Sequence, residues 1–280
     1  MKRVVVVTDS NATLPEAAVR DLDIRVVPIL LNLADRTYRD GVDMTPNEFY
    51  RVLRTTTHVP TTASPSMGGF VRVFAASVQE AAGIVAIVLP PQLSAIHNLA
   101  VMASQLVDGP PIRVVDSGTA AMAQGFVVLE AARAAAAGAG LEKVVARAEE
   151  VASKVHFYAA LETLEYLHRG GRIGGAAAWV GSMLQTTPVL RVLDGRVEPF
   201  ARPRTRQRAI QVMLDEMTRR VSDRPVHVAI CQADALEEAE DLKRCVEDLF
   251  DCTELYVTEF TPVMGAHAGP GLLGVAFYVD

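Results

Sequence analysis

Hydroxyl and basic residues set beside prolines and glycines mark where this 280-residue chain could do chemistry. The first group is Pro60-Thr61-Thr62-Ala63-Ser64-Pro65-Ser66. Ser64 ahead of Pro65 has the form of a helix cap followed by proline in the first helical position. Thr61 and Thr62, adjacent and just ahead of that helix, would set two hydroxyls and free backbone N–H groups around an anion. Gln92-Leu93-Ser94 takes the same place after a later strand, where Ser94 either caps its helix or faces a crevice.

Two further groups are basic. In Leu164–Gly175, Arg172 lies among Gly170, Gly171, Gly174 and Gly175. The segment reads as a short helix stopped by Gly170 and a turn, and its glycines also let backbone and guanidinium come close to an anion. Arg202-Pro203-Arg204-Thr205-Arg206-Gln207-Arg208 is either a solvated face or a contact for a phosphate or an acidic partner. It has no interleaved aromatics on which single-stranded bases would stack. The last group, His267-Ala268-Gly269-Pro270-Gly271-Leu272-Leu273-Gly274, formally matches G-x-G-x-x-G. An apolar terminal strand comes next, with no helix to receive a pyrophosphate, so the dinucleotide reading fails. His267 is then either a structural histidine or a polar site residue in a glycine-rich loop.

No G-x-S-x-G elbow and no Walker A sequence is present. His58, His97, His156, His168 and His227 show no local metal-ligand spacing, and Cys231, Cys245 and Cys252 add none. No metal is expected. The odd cysteine count without C-x-x-C spacing argues against a disulfide framework. Asp40 and Asp43 could hold a cation, but Asp40-Gly41 reads better as a turn.

The elements that must position these groups read as α/β. Val4–Val7 is a continuous β-branched run suited to a strand buried on both faces, and it ends in Thr8-Asp9-Ser10. A strand over 24–31 comes after it, then a polar turn to Asp40-Gly41, and Thr45-Pro46 opens a helix carrying Phe49 and Tyr50. The polar loop 60–66 leads into a helix through Phe70 and Phe74. Strand 84–89 feeds the loop 90–94, and strand 112–115 feeds Asp116-Ser117. Three strands thus end in loops that should meet at one edge of a parallel sheet, where open α/β sheets form their crevice. A helical region over 118–151, broken at 138–140, bridges to a second half. That half holds strand 155–161, a short helix, the glycine-rich turn, a further helix, and a hairpin turning at Asp194-Gly195. A helix over 205–220, strand 226–231, a helix over 236–250 and strands 255–260 and 275–279 complete it. The expected domains are 1–151 and 152–280.

Half of the residues are apolar, and 27 Lys and Arg against 33 Asp and Glu give a net charge of −6. That balance provides no general attraction to nucleic acid or anionic membrane. The N-terminus, MKRVVVVTDS, has too short an apolar run for a signal peptide, and no run is long enough to span a bilayer, so a cytoplasmic protein is expected.

Taken in order, seven segments resemble the DegV family, the fatty-acid-binding proteins that serve as the B component of bacterial fatty acid kinase. They are VTDSNATLP at 7–15, RDGVDMTPNEFY at 39–50, PTTASPS at 60–66, VVDSGTAAMAQG at 114–125, LETLEYLHRGGRIGG at 161–175, DGRVEPFARPRTR at 194–206 and HAGPGLLGVAF at 267–277. The likeness covers essentially the whole chain.

The resemblance implies an N-terminal α/β/α parallel-sheet domain and a C-terminal α/β domain with a mixed sheet. A long-chain fatty acid would lie between them, with no other cofactor. It implies that Thr61, Thr62, Ser94 and His267 meet the carboxylate, while Arg172, Arg202 and Arg204 serve kinase docking or phosphate contact. The kinase catalytic subunit would hold ATP and convert the bound acid to acyl phosphate, so the chain itself would be no enzyme. Arg202 stands where the family commonly has lysine. Neutral hydroxyls suit a carboxyl group that must later attack phosphate, since a salt bridge would block the attacking oxygen. Each neutral hydrogen bond contributes about 1 kcal/mol net and each buried methylene about 0.8 kcal/mol, so retention would come from the chain and orientation from the hydroxyls. One loop departs from the pattern. The family's serine-serine-x-leucine-serine-glycine-threonine reads here Pro90-Pro91-Gln92-Leu93-Ser94-Ala95-Ile96, which stiffens the mouth and makes it more apolar. Two rivals stay open: a small acyl hydrolase or transferase using Ser94 or Ser117 with His267, and a lipid-sensing regulatory module.

Overall fold

A computed structural model of the chain describes residues 3–181 and 186–280. The valine run forms β1 (Arg3–Asp9), buried along all but its first residue. A 3-10 turn at Ser10–Ala12 leads to α1 (Glu16–Asp21) and β2 (Arg25–Val27). Pro28, which has no N–H to give a ladder, ends β2. The single strand expected over 24–31 is therefore two. β3 (Leu30–Leu33) leaves for a second sheet, where it pairs antiparallel with β4 (Arg36–Arg39). The polar stretch before Asp40 is thus a strand and not a turn.

Thr45 caps α2 (Pro46–Leu53) with a full capping box to Glu48. Residues 61–63, expected as loop, form β5 (Thr61–Ala63) on the free edge of β3. α3 (Met67–Ser77) begins after Ser66 and not after Ser64. β6 (Ala81–Val88), α4 (Ile96–Ser104), β7 (Ile112–Asp116), α5 (Ala121–Ala136) and α6 (Leu141–Lys154) complete the first half. Its parallel sheet runs β2-β1-β6-β7, and the small antiparallel sheet runs β4-β3-β5. α3 and α4 contact the parallel sheet as one pair, α5 and α6 as another.

The second half holds β8 (His156–Ala160), α7 (Glu165–Arg169), a hairpin of β9 (Val189–Leu193) and β10 (Arg196–Ala201), then α8 (Arg206–Val221) and β11 (Val226–Gln232). α9 (Leu236–Leu249), β12 (Cys252–Glu259), α10 (Pro262–Ala268) and β13 (Leu273–Tyr278) complete it. Its mixed sheet runs β10-β9-β8-β13-β11-β12. The hairpin turns at Asp194-Gly195, both with positive φ (48° and 72°), as a two-residue turn of matching twist requires. The helix expected before Val189 is only a 3-10 turn, Gly174–Trp179, and residues 182–185 lie outside the described residues. α10 replaces the glycine-rich loop expected around His267.

α5 joins the halves. Thirteen of its sixteen residues are buried, because it packs on β1 on one side and on β11 and β13 on the other. The inner face of the mixed sheet admits it by being small, with Ala229, Cys231, Gly274 and Ala276 along it. At one border of this sandwich Arg133 bonds Glu130 and Glu254 across the halves, and Arg147 bonds Glu130 and Asp280. His227, stacked on Tyr278 with ring centroids 4.3 Å apart, places a ring nitrogen 2.8 Å from Glu254.

Candidate functional site

The three strand-end loops do meet. The Leu89 amide donates to Asp9 Oδ2 at 2.8 Å, and the Ser117 amide donates to the Val88 carbonyl at 3.1 Å. Asp9 also accepts from the Asn11 amide, and its burial pushes the carboxyl up to about 6 against those two bonds. Asn11 is held in turn by Gln124 of α5 at 3.1 Å and faces a pocket above the sheet edge.

That pocket, about 910 Å³ including its open mouth, is walled by both halves of the chain. Leu89, Leu93 and Ala120 come from the first, and Phe157, Leu161, Leu190, Val192 and Phe260 from the second. Among the described lining residues none is acidic, and the two charged ones are Arg172 and Arg191. Arg191 borders the pocket from β9 with its guanidinium 5.9 Å from the Phe200 ring centre.

Five of the polar lining residues follow one another along the rim. Thr62 Oγ1 is 2.8 Å from His267 Nε2. The His267 ring rests on Gly170, where an added Cβ would overlap Nδ1. Arg172 donates to the Gly170 carbonyl at 2.7 Å and to the Leu93 carbonyl at 3.2 Å. Beside Leu93, Ser94 Oγ is 3.2 Å from Ser64 Oγ, which returns to the strand of Thr62. Burial, and secondarily the charge of Arg172, hold the His267 imidazole down to about 4, so it is neutral at neutral pH. With its proton on Nε2 it donates to Thr62 and leaves the threonine hydroxyl hydrogen free to turn toward an anion. The rim therefore offers hydroxyls and one guanidinium to an anion at the edge of an apolar cavity.

Of the residues singled out from sequence, Thr62, Ser94, Arg172 and His267 line the pocket. Thr61 does not: β5 alternates, placing Thr62 opposite buried Leu31 and Thr61 opposite Asn32, where it is exposed. Arg202 and Arg204 are exposed in the loop between β10 and α8, outside the pocket lining. Arg202 lies over the Trp179 ring, 5.2 Å from its centre. Ser94 does not cap α4, whose N-cap is Ala95, and Ser64, also free of a capping role, is its partner. Ser117 is buried and donates to the Thr119 carbonyl at 3.1 Å. Sequence reasoning missed the roles of Gly170 and Ser64, and it did not single out Asn11 or Arg191, which also line the pocket. Among the described residues no cluster suited to a metal ion is found, and no helix is long and apolar enough to cross a membrane.

The fold and site together define a two-domain α/β protein with an apolar pocket between its domains. The family model described as "Uncharacterised protein, DegV family" matches residues 3–280, and the chain belongs to that family. A DegV domain-containing protein of Streptomyces coelicolor is 37% identical over 277 residues, 98% of each chain. Among solved structures, one titled for fatty acid binding of a DegV family protein from Thermus thermophilus superposes with a TM-score of 0.94 at 32% identity, covering 99% of this chain and 100% of that one. DegV from Bacillus subtilis, described as a fatty acid binding protein, gives 0.93 at 28% identity with full coverage of both.

Proposed function

We propose that this protein is a carrier that buries one long-chain fatty acid between its two domains and presents the carboxylate to a fatty acid kinase. The observation that carries this reading is the apolar pocket with no acidic residue among its described lining residues, edged by Thr62, His267, Arg172, Ser94 and Ser64. An acyl chain would be held by the apolar wall, and a carboxylate would be oriented by hydroxyl donors, with Thr62, Ser94 and His267 in contact and Thr61 in the strand behind. The relatives of known structure described as fatty-acid-binding proteins support the ligand class. Arg172, Arg202 and Arg204 are proposed to face the kinase or the phosphate it delivers, two of them being exposed on one loop beside the glycine-rich segment. The kinase would hold ATP, and the carboxylate oxygen would attack the γ-phosphorus to give acyl phosphate and ADP. The same reading divides the chain at 151/152, within the last turn of α6, which ends at Lys154 just before the mixed sheet starts at His156.

The hydrolase reading asks for a serine hydroxyl on His267. His267 Nε2 instead pairs with Thr62, Ser94 with Ser64, and Ser117 with a backbone carbonyl. The test is mass spectrometry of the purified protein before and after organic extraction, and then reconstitution with palmitate, ATP and a fatty acid kinase. A stoichiometric acid, and acyl phosphate only when all components are present, is the expected result. Product formed without the kinase, or a protein that neither contains nor takes up palmitate or oleate, would overturn the reading.

A further inference from the structure

Asp40 belongs to the N-terminal domain, at the end of β4, and is buried with 2% of its surface exposed. Its carboxylate nevertheless reaches α10 of the C-terminal domain, where Oδ1 accepts from the Val263 amide at 3.0 Å. Oδ2 accepts from the Ser10 hydroxyl at 2.6 Å, and that hydroxyl accepts in turn from the Ile29 amide at 3.1 Å. The Asp40 amide donates to the Ile29 carbonyl at 2.9 Å. Both ends of the residue are therefore fixed.

α10 lacks a cap of its own. The side chain of its N-cap residue, Thr261, makes no capping bond, and Pro262 in the first position has no N–H. Val263 is the second helical residue, the place where an N-cap side chain normally bonds. Asp40 performs that task from another domain, and a carboxylate there is also favoured by the helix dipole. His267 lies four residues after Val263, one turn on along the same face. The rest of α10 is set against the same N-terminal elements. Gly265 packs so closely on Tyr50 and Phe49 that an added Cβ would lie 2.6 Å from the Tyr50 hydroxyl, and that hydroxyl donates to the Phe260 carbonyl at 3.2 Å. Burial pushes the Asp40 carboxyl up, opposed by its bonds to Ser10 and Val263, so an acid here is retained against a desolvation penalty.

We propose that Asp40 is a positioning residue for the ligand site: capping α10 across the domain interface, it sets where His267 meets Thr62. The role rests on the reading of His267 as a carboxylate contact. Removing the cap lets α10 shift, opens the Thr62–His267 pair and admits water to the imidazole.

The test compares Asp40→Ala, Asp40→Asn and Ser10→Ala with Val228→Ala, a cavity in the outer core of the mixed sheet away from the pocket. Histidine ring signals are tracked by NMR against pH, and palmitate affinity is measured alongside. In Asp40→Ala the His267 titration midpoint should rise from about 4 toward the ordinary value of about 6.5, with palmitate affinity about fivefold weaker. Asp40→Asn, which still accepts from Val263, should restore both. Ser10→Ala, milder and suited to the case in which Asp40→Ala does not fold, should move the same signal part of the way. Val228→Ala should lose stability and move neither. A His267 signal and palmitate affinity unchanged in both Asp40→Ala and Ser10→Ala would overturn the proposal, as would an equal change in Val228→Ala. Should the wild type bind no palmitate, the fatty-acid reading falls separately, and the His267 signal alone decides the role of Asp40.

Discussion

Replacing Gly170 by alanine should disturb the site far more than the same change at its neighbour Gly171. Gly170 has an ordinary φ of −74°, so an alanine there meets no backbone penalty. Its methyl carbon would overlap His267 Nδ1 and stand 2.8 Å from Cε1. Carbon atoms pack at about 3.5–4.0 Å, so the ring must retreat by roughly 1 Å. A shift of that size, toward Thr62 or away from it, takes the 2.8 Å Thr62–His267 contact out of normal hydrogen-bond geometry. Overpacking of this kind costs about 1–3 kcal/mol and a lost neutral hydrogen bond about 1 kcal/mol, giving a total of about 2–4 kcal/mol. Gly171 is the converse case, with φ +68° and nothing within 4 Å of an added Cβ. Alanine there bears only the left-handed strain of about 1–2 kcal/mol. Urea denaturation and palmitate titration of the two variants separate the effects. Gly170→Ala should lose about fivefold in palmitate affinity, while Gly171→Ala keeps it. A Gly170→Ala protein as stable as Gly171→Ala and binding palmitate like the wild type would show that the Gly170–His267 contact does not order the site.

Two other outcomes stem from the electrostatics. His267 titrates at about 4 when folded and at an ordinary 6.5 when unfolded, so the unfolded chain binds the extra proton between those values. Its contribution to stability is complete above pH 6.5 and falls by up to about 3 kcal/mol as pH drops to 4. The stability gap between wild type and His267→Gln should therefore shrink over that window, and a constant gap from pH 7 to 4.5 in urea titrations would contradict the burial of a neutral imidazole. Across the sandwich, Glu254→Gln strips Arg133 and His227 of a shared partner and should cost about 1–3 kcal/mol, reduced from the fully buried case because Arg133 is partly exposed. A double-mutant cycle with Arg133→Met that gives a coupling energy near zero would rule out that link.

Where a segment's fate was decided by its own residues, it was readable in advance. The valine run of β1, the Thr45-Pro46 cap and the Asp194-Gly195 hairpin all carry local chemistry that tertiary context leaves alone. The segments that misled were those whose partners lie far away in sequence. Thr61–Ala63 is a strand because the edge of β3 is there to receive it, and three residues have no periodicity to announce that. α10 hides its helix behind Gly265, a poor helix former kept because Phe49 and Tyr50 leave no room for a side chain. The site obeyed the same rule. The hydroxyl and basic residues were visible as types, yet the separation of Thr61 from Thr62 needed the strand, and the need for glycine at 170 needed the imidazole above it.

The two-sided packing of α5 has a consequence for how the protein is made. The helix completes the core of the first domain, but its second apolar face, with Phe126 against Tyr256 and Tyr278, is matched by strands near the end of the chain. During synthesis the N-terminal domain emerges first and must hold that face bare until β11, β12 and β13 leave the ribosome. A nascent chain of this protein is thus exposed to misassociation late in translation, at a surface that the finished molecule never shows.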